Sequence, residues 1–199
     1  MIIIEKTASK MRQISILLFV LFFTNQLSAQ SSNGPANSIK FGFGTAFLQP
    51  AGYFGRNTMH AQYELRLFKP VSIALNGFRV NAEQIDSDDF EKTTKAYQAD
   101  AGLNIALFSN ETNALKIGGG ASWQTSEYRY TTSIERDSND QIVNRFFEES
   151  NTESYGWMAN LEYEVYIIDH IVLGSRLTYK QYENGDKNYF FGLNAGFRF

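Results

Sequence analysis

From Ile39 to Phe199 the chain alternates apolar and polar side chains with a period of two, and no apolar stripe at helical spacing is sustained anywhere along it. The alternation falls into eight runs: Ile39–Phe47, Met59–Leu67, Val71–Gly77, Tyr97–Leu107, Leu115–Thr125, Tyr155–Ile167, Ile171–Lys180 and Tyr189–Phe199. In the first run Ile39, Phe41, Phe43 and Phe47 oppose Lys40, Gly42, Gly44 and Ala46, and no charged residue falls on the apolar face of any run. The pattern predicts an all-β domain of eight strands, each with one apolar and one polar face.

Alternation alone leaves open which face points inwards, and a secreted lipocalin-like barrel with an apolar interior competes with a membrane barrel. Volume separates them. An eight-stranded interior is only just filled by side chains, and it has no room for Trp123, Trp157 and the Phe, Tyr, Leu and Ile of the apolar faces. The polar face is rich in glycine, including Gly42, Gly44, Gly118, Gly120, Gly192 and Gly196, which suits the crowded concave side. The apolar face therefore points outwards, and a continuous apolar outer band calls for lipid. The expectation is an eight-stranded antiparallel up-and-down transmembrane β-barrel. Connections after the second, fourth and sixth runs are short (Phe68–Pro70, Phe108–Asn113, Ile168–His170), whereas those on the other rim are mostly longer and polar. That asymmetry places the short turns and both termini in the periplasm. Tyr97, Trp123, Tyr155, Trp157, Tyr179 and Tyr189 fall near the loop-side ends of their runs, where an interfacial aromatic girdle belongs.

Composition narrows the address. With 43% hydrophobic and 20% charged positions the chain carries enough apolar material for one folded domain, while a mean hydropathy of -0.31 excludes a bundle of membrane helices. Ahead of the alternation, Ile14–Phe23 is a short apolar run preceded by Lys10 and Arg12 and followed by Thr24, Asn25 and Gln26. This reads as a signal peptide over residues 1–29, cleaved after Ala29, with the barrel over 30–199; Met11 begins a better-formed signal than Met1 does. Cleavage leaves 15 basic and 20 acidic side chains, a net charge of about -5, and no basic footprint for nucleic acid. There is no cysteine and hence no disulfide framework.

The last run, Tyr189-Phe190-Phe191-Gly192-Leu193-Asn194-Ala195-Gly196-Phe197-Arg198-Phe199, ends in alternating apolar residues and a terminal Phe. Together with the eight-run pattern from about Ile39, it resembles the small outer-membrane barrels of the OmpA-transmembrane-domain and OmpX type, a porin-family fold. The resemblance implies a cell-envelope protein of the Gram-negative outer membrane. It also implies that Phe197 and Phe199 form the signal read by the outer-membrane barrel assembly machinery. A monomer surrounded by outer-membrane lipid is expected.

On the polar faces, Lys40, Arg66, Lys116, Arg176, Lys180 and Arg198 are balanced against Glu64, Asp100, Glu162 and Glu164. Inside so narrow a barrel such charges must pair, because an unpaired charge away from water is costly. Glu64, Asp100, Glu162 and Arg176, with Arg66 and Lys116, are the candidates for a lumen ion-pair network. A salt-bridged, closed interior is the expectation, and a narrow conductive path is the alternative. His60 lies near the loop end of the second run without a serine at adjacent same-face positions, and His170 lies in a turn, so a lipid A-modifying enzyme is weakly founded. The acidic stretch from Asp86 to Glu91 lacks the full spacing of a calcium loop, so neither a metal nor a cofactor is expected. The fifth and sixth runs continue past the membrane as Glu127–Arg136, a turn at Asp137–Asp140, and Gln141–Glu148. That hairpin carries apolar residues and free edges and could take up an unknown extracellular partner. The expected role is non-enzymatic and structural, with adhesion or partner binding through residues 126–154 as the alternative.

Overall fold

The computed structural model describes residues 37–49, 53–85 and 91–199. The leader expected over 1–29 lies outside the described residues, as does the acidic stretch apart from Glu91. Eight strands follow in order: β1 (Asn37–Gln49), β2 (Tyr53–Phe68), β3 (Val71–Ile85), β4 (Glu91–Ser109), β5 (Asn113–Arg136), β6 (Ile142–Ile168), β7 (Ile171–Tyr182) and β8 (Lys187–Arg198). Each pairs antiparallel with the next, and β1 pairs with β8 from Ser38–Arg198 to Gln49–Lys187, so the sheet closes into an up-and-down barrel. Mutual backbone bonds of 2.9 Å between Asn37 and Phe199 lock the two ends of the described chain together at the short-turn rim.

The faces sort by alternation. Phe41, Phe43, Leu103, Ile105, Leu161, Leu173, Leu177, Phe191, Leu193 and Phe197 are exposed on the outside, whereas Lys40, Gln62, Asn104, Gln124, Glu162, Arg176 and Lys180 are buried inside. Inverting the usual partition in this way is stable only when the outer surface meets hydrocarbon. A row of outward aromatics lies on the loop side: Trp157 packs edge-on against Tyr179 (5.3 Å between centroids), and Tyr179 packs tilted against Tyr189 (5.1 Å) and Tyr189 against Phe47 (6.5 Å), giving a continuous row across β6, β7, β8 and β1. Tyr97, Trp123 and Tyr155 continue outward on β4, β5 and β6, with Trp123 directly opposite Tyr155.

Two expectations change. The polar connections on the loop side are mostly strand: β3 runs on to Ile85 and β4 begins at Glu91, with those two residues paired. Above an apolar band the outer face meets water, so alternation fades from the sequence while the hydrogen-bond ladder continues. The interior is also not polar throughout. Near the loop end Ala46, Leu48, Phe78, Val80, Ala82, Ala96 and Phe190 form a buried apolar cluster, with Tyr128 packed against it.

Candidate functional site

The lumen is built from side chains that alternate inwards from all eight strands. Towards the short-turn rim, Lys40 on β1 reaches across to β6. Its Nζ donates to Glu162 Oε1 at 2.7 Å, to Glu64 Oε2 at 3.1 Å and, at short range, to Glu164. Lys116 bridges Glu64 and Glu164 at 2.8 and 2.9 Å. The three carboxylates offer oxygens within 4.8 Å of one another, a spacing that could hold a cation, and the Lys40 ammonium occupies that role. Glu64 also accepts a bond from Ser72 Oγ. Glu162 accepts bonds from Gln62 Nε2 (3.3 Å) and Asn194 Nδ2 (3.2 Å), so its acceptors are well used. Good geometry and additional hydrogen bonds of this kind are what a buried ion cluster needs to offset desolvation.

Further towards the loops, Lys180 donates to Asp100 Oδ1 at 2.9 Å and Gln98 Oε1 at 2.8 Å, and its ammonium lies 3.7 Å from the centroid of the Phe78 ring. Ser122 Oγ donates to Asp100 Oδ1 at 2.7 Å and contacts the Tyr182 hydroxyl at 3.1 Å. Arg176 lies between the two groups. Its Nη1 donates to Gln62 Oε1 (2.7 Å) and Asn76 Oδ1 (2.6 Å), while Nε and Nη2 have no hydrogen-bond partner among the described residues.

The structure thus brings Glu64, Glu162 and Lys116 into one cluster, puts Asp100 in a second, and gives Arg176 neutral amide partners. Arg66 is half-buried near the β2–β3 turn and joins neither cluster. Lys40, Glu164 and Lys180 complete the clusters. Alternation marks them as inward-facing, but the contact of β1 with β6, across the lumen between strands that are not neighbours, cannot be read from any one strand. His60 sits between aromatic rings, 5.6 Å from Phe78 and 5.0 Å from Phe190, and neither ring nitrogen has a hydrogen-bond partner among the described residues. No adjacent hydroxyl or carboxylate bonds to it as a nucleophile or orienting group would. At the short-turn rim His170 stacks on Phe197 (5.4 Å), which in turn lies 6.4 Å from Phe199.

On the loop side β5 and β6 continue as a two-stranded ribbon, paired up to Arg136–Ile142. Asp137 closes the tip, its Oδ1 accepting from the backbone N–H of Asn139 (2.8 Å) and Gln141 (2.9 Å). Arg129 stacks over Phe147 at 3.9 Å and faces Glu149, and Arg145 reaches Glu91 at 3.4 Å. Tyr130 bonds to Glu148, which holds its phenol above the ordinary tyrosine pKa. At the base of the ribbon Glu153 accepts from Trp123 Nε1 (2.7 Å) and the Tyr155 hydroxyl (3.1 Å).

A model of the family described as "Protein of unknown function, DUF481" matches residues 73–199, and the chain belongs to that family. No curated protein matches. Among solved structures, the attachment invasion locus protein Ail of Yersinia pestis aligns with a TM-score of 0.57 at 15% identity, over 84% of this chain and 100% of that one. Neisserial surface protein A gives 0.61 at 10% identity, over 84% and 100%. The outer membrane protein OprG of Pseudomonas aeruginosa gives 0.55 at 10% identity, over 84% and 98%. At these identities the likeness shows a shared fold, that of small outer-membrane barrels.

Proposed function

We propose that this member of the DUF481 family is exported, inserts into the outer membrane of a Gram-negative cell as a monomer, and serves there as a non-enzymatic envelope protein with a sealed lumen. The observation that carries this reading is the inverted partition: an apolar outer band, edged by aromatic residues on the loop side, around a core of paired charges. Export by residues 1–29 and the finer likeness to OmpA- and OmpX-type barrels belong to the same proposal. The lone, aromatic-packed His60 supports a role without lipid A chemistry.

The test is gel mobility of the outer-membrane fraction, unheated against boiled. A folded barrel resists SDS and migrates apart from its boiled form, so a heat-dependent shift confined to that fraction is expected. A soluble protein with no shift would overturn the reading. Phe199 enters as part of the assembly signal, with Phe197 two residues before it on the outer face. Removal of Phe199 is expected to lower the amount of heat-shifting protein in the membrane while purified, refolded protein still gives the shift. If the truncated chain accumulates in the membrane at the level of the intact one, Phe199 has no part in assembly.

A second reading rests on the β5–β6 ribbon, which stands beyond the apolar band and exposes Val143, Phe146 and Phe147. Exposed apolar side chains on a projecting element favour attachment to a partner. The name of Ail points to attachment, and one structure of it is a complex with the heparin analogue sucrose octasulfate. The charge of the ribbon in this chain favours a different kind of partner.

A further inference from the structure

The last bond joining β7 to β6 on the loop side runs from the N–H of Glu183 to the carbonyl of Tyr155, at 2.9 Å. Beyond it, residues 142–154 of β6 pair only with β5, and among the described residues no strand runs along the other edge. At about 3.3 Å per residue the open edge is roughly 40 Å long. Alternate backbone N–H and C=O groups along it point away from β5 and are available to a further strand. The segment contains neither proline nor lysine, the residues that commonly blunt such edges.

Charge says what fits. Residues 126–154 contain seven acidic and three basic side chains. Each of the three arginines already faces an acidic group: Arg129 faces Glu149, Arg136 faces Asp140 and Arg145 faces Glu91. The net charge of the ribbon is therefore acidic, and Glu148, Glu149 and Glu153 lie along the open edge itself. A second copy docking antiparallel about a twofold axis at the middle of the edge would set Glu148 against its own counterpart or, with the axis between the two residues, Glu148 against Glu149 of the copy. Like charges directly opposite are destabilising, so self-pairing is disfavoured.

Resting on the reading of the ribbon as the contact-making part, we propose that the open β6 edge takes up an extended, cationic polypeptide segment as an added strand. The backbone ladder supplies affinity irrespective of sequence. Lysine or arginine beside Glu148, Glu149 and Glu153, with an apolar residue near Phe147 or Val143, supplies selectivity.

The test uses the full barrel in detergent micelles and three synthetic peptides: alternating valine–lysine, alternating valine–glutamate, and the valine–lysine peptide N-methylated at every second residue. The cationic peptide is expected to bind more than tenfold tighter than the acidic one, to weaken as salt rises, and to lose binding on N-methylation. Glu148→Gln, Glu149→Gln and Glu153→Gln together are expected to weaken it about tenfold, with the heat-dependent gel shift unchanged. Equal binding of the N-methylated peptide would overturn strand addition. Preference for the acidic peptide would overturn the partner class while leaving the ribbon as a binding element. A barrel that binds none of the three and dimerises through the ribbon would overturn the proposal in favour of a second copy. A missing gel shift in the wild-type chain would instead remove the membrane reading on which all of this stands.

Discussion

Replacing Lys40 with methionine is expected to destabilise the barrel by about 3–5 kcal/mol, the cost of removing one partner from a buried ion cluster. Lys40 is fully buried, and its ammonium is the common partner of Glu64, Glu162 and Glu164. Without it Lys116 alone faces the carboxylates, and it reaches Glu64 and Glu164 but not Glu162 among the ion pairs described. The measurement is the fraction of heat-shifting protein against urea concentration in lipid vesicles. Adding Glu162→Gln to Lys40→Met should recover part of the loss, because it removes a negative charge from the unbalanced site. Three carboxylates within 4.8 Å of one another also form a ready cation cage once the ammonium is gone. Calcium should therefore raise the urea midpoint of Lys40→Met and leave that of the wild type in place. An unchanged midpoint in Lys40→Met would show that the lumen is wet enough to solvate the carboxylates, and would remove the idea of a sealed core.

Gly44→Val is expected to abolish the heat-shifting form altogether. A side-chain carbon added at Gly44 would lie 2.1 Å from the Phe191 carbonyl oxygen and 2.5 Å from the Gly192 Cα, both backbone atoms of the strand that closes the barrel. Flexible side chains can yield; a backbone ladder partner cannot without losing the β1–β8 register. The matched control is Gly77→Ala on the outer face, where an added carbon meets nothing within 4 Å. Because glycine in a strand interior is entropically unfavourable, that change should be neutral or stabilising by up to about 1 kcal/mol. A folded, heat-shifting Gly44→Val barrel would show that closure tolerates separation at the seam.

The contrast between these two glycines bears on what the sequence could disclose. Gly44 and Gly77 look alike in composition, but alternation puts the first on the lumen side and the second on the lipid side, and the structure agrees. Strand number, faces and closure were legible for the same reason, since lipid outside and packed polar groups inside impose one pattern on every strand. Strand ends were not. Beyond the girdle both faces of β3, β4, β5 and β6 can be polar, and the ladder there is set by pairing partners rather than by burial. The lumen clusters were legible only as a set of inward charges. Which acid meets which base depends on how the strands stagger around the ring, and that stagger places Lys40 beside Glu162 and Glu164. The pairing of Arg176 with Gln62 and Asn76 was hidden for the same reason. The apolar cluster of Phe78 and Phe190 near the loop end was not legible, because it sits on inward positions that the alternation marks only as the polar face.

The bonds that Lys40 makes across the ring also bear on the order of assembly. β1 is one edge of the sheet until it meets β8, and the side chain that neutralises β6 is carried on that edge strand. While the sheet is open, Glu162 lacks the Lys40 ammonium, Glu164 has only Lys116 from the neighbouring β5, and β1 and β8 lack each other, so these deficits vanish in one event. Neither half of that event is favourable in hydrocarbon without the other. Closing the ring is therefore an all-or-none step, and a partly zipped barrel keeps its charges in water until the last ladder forms.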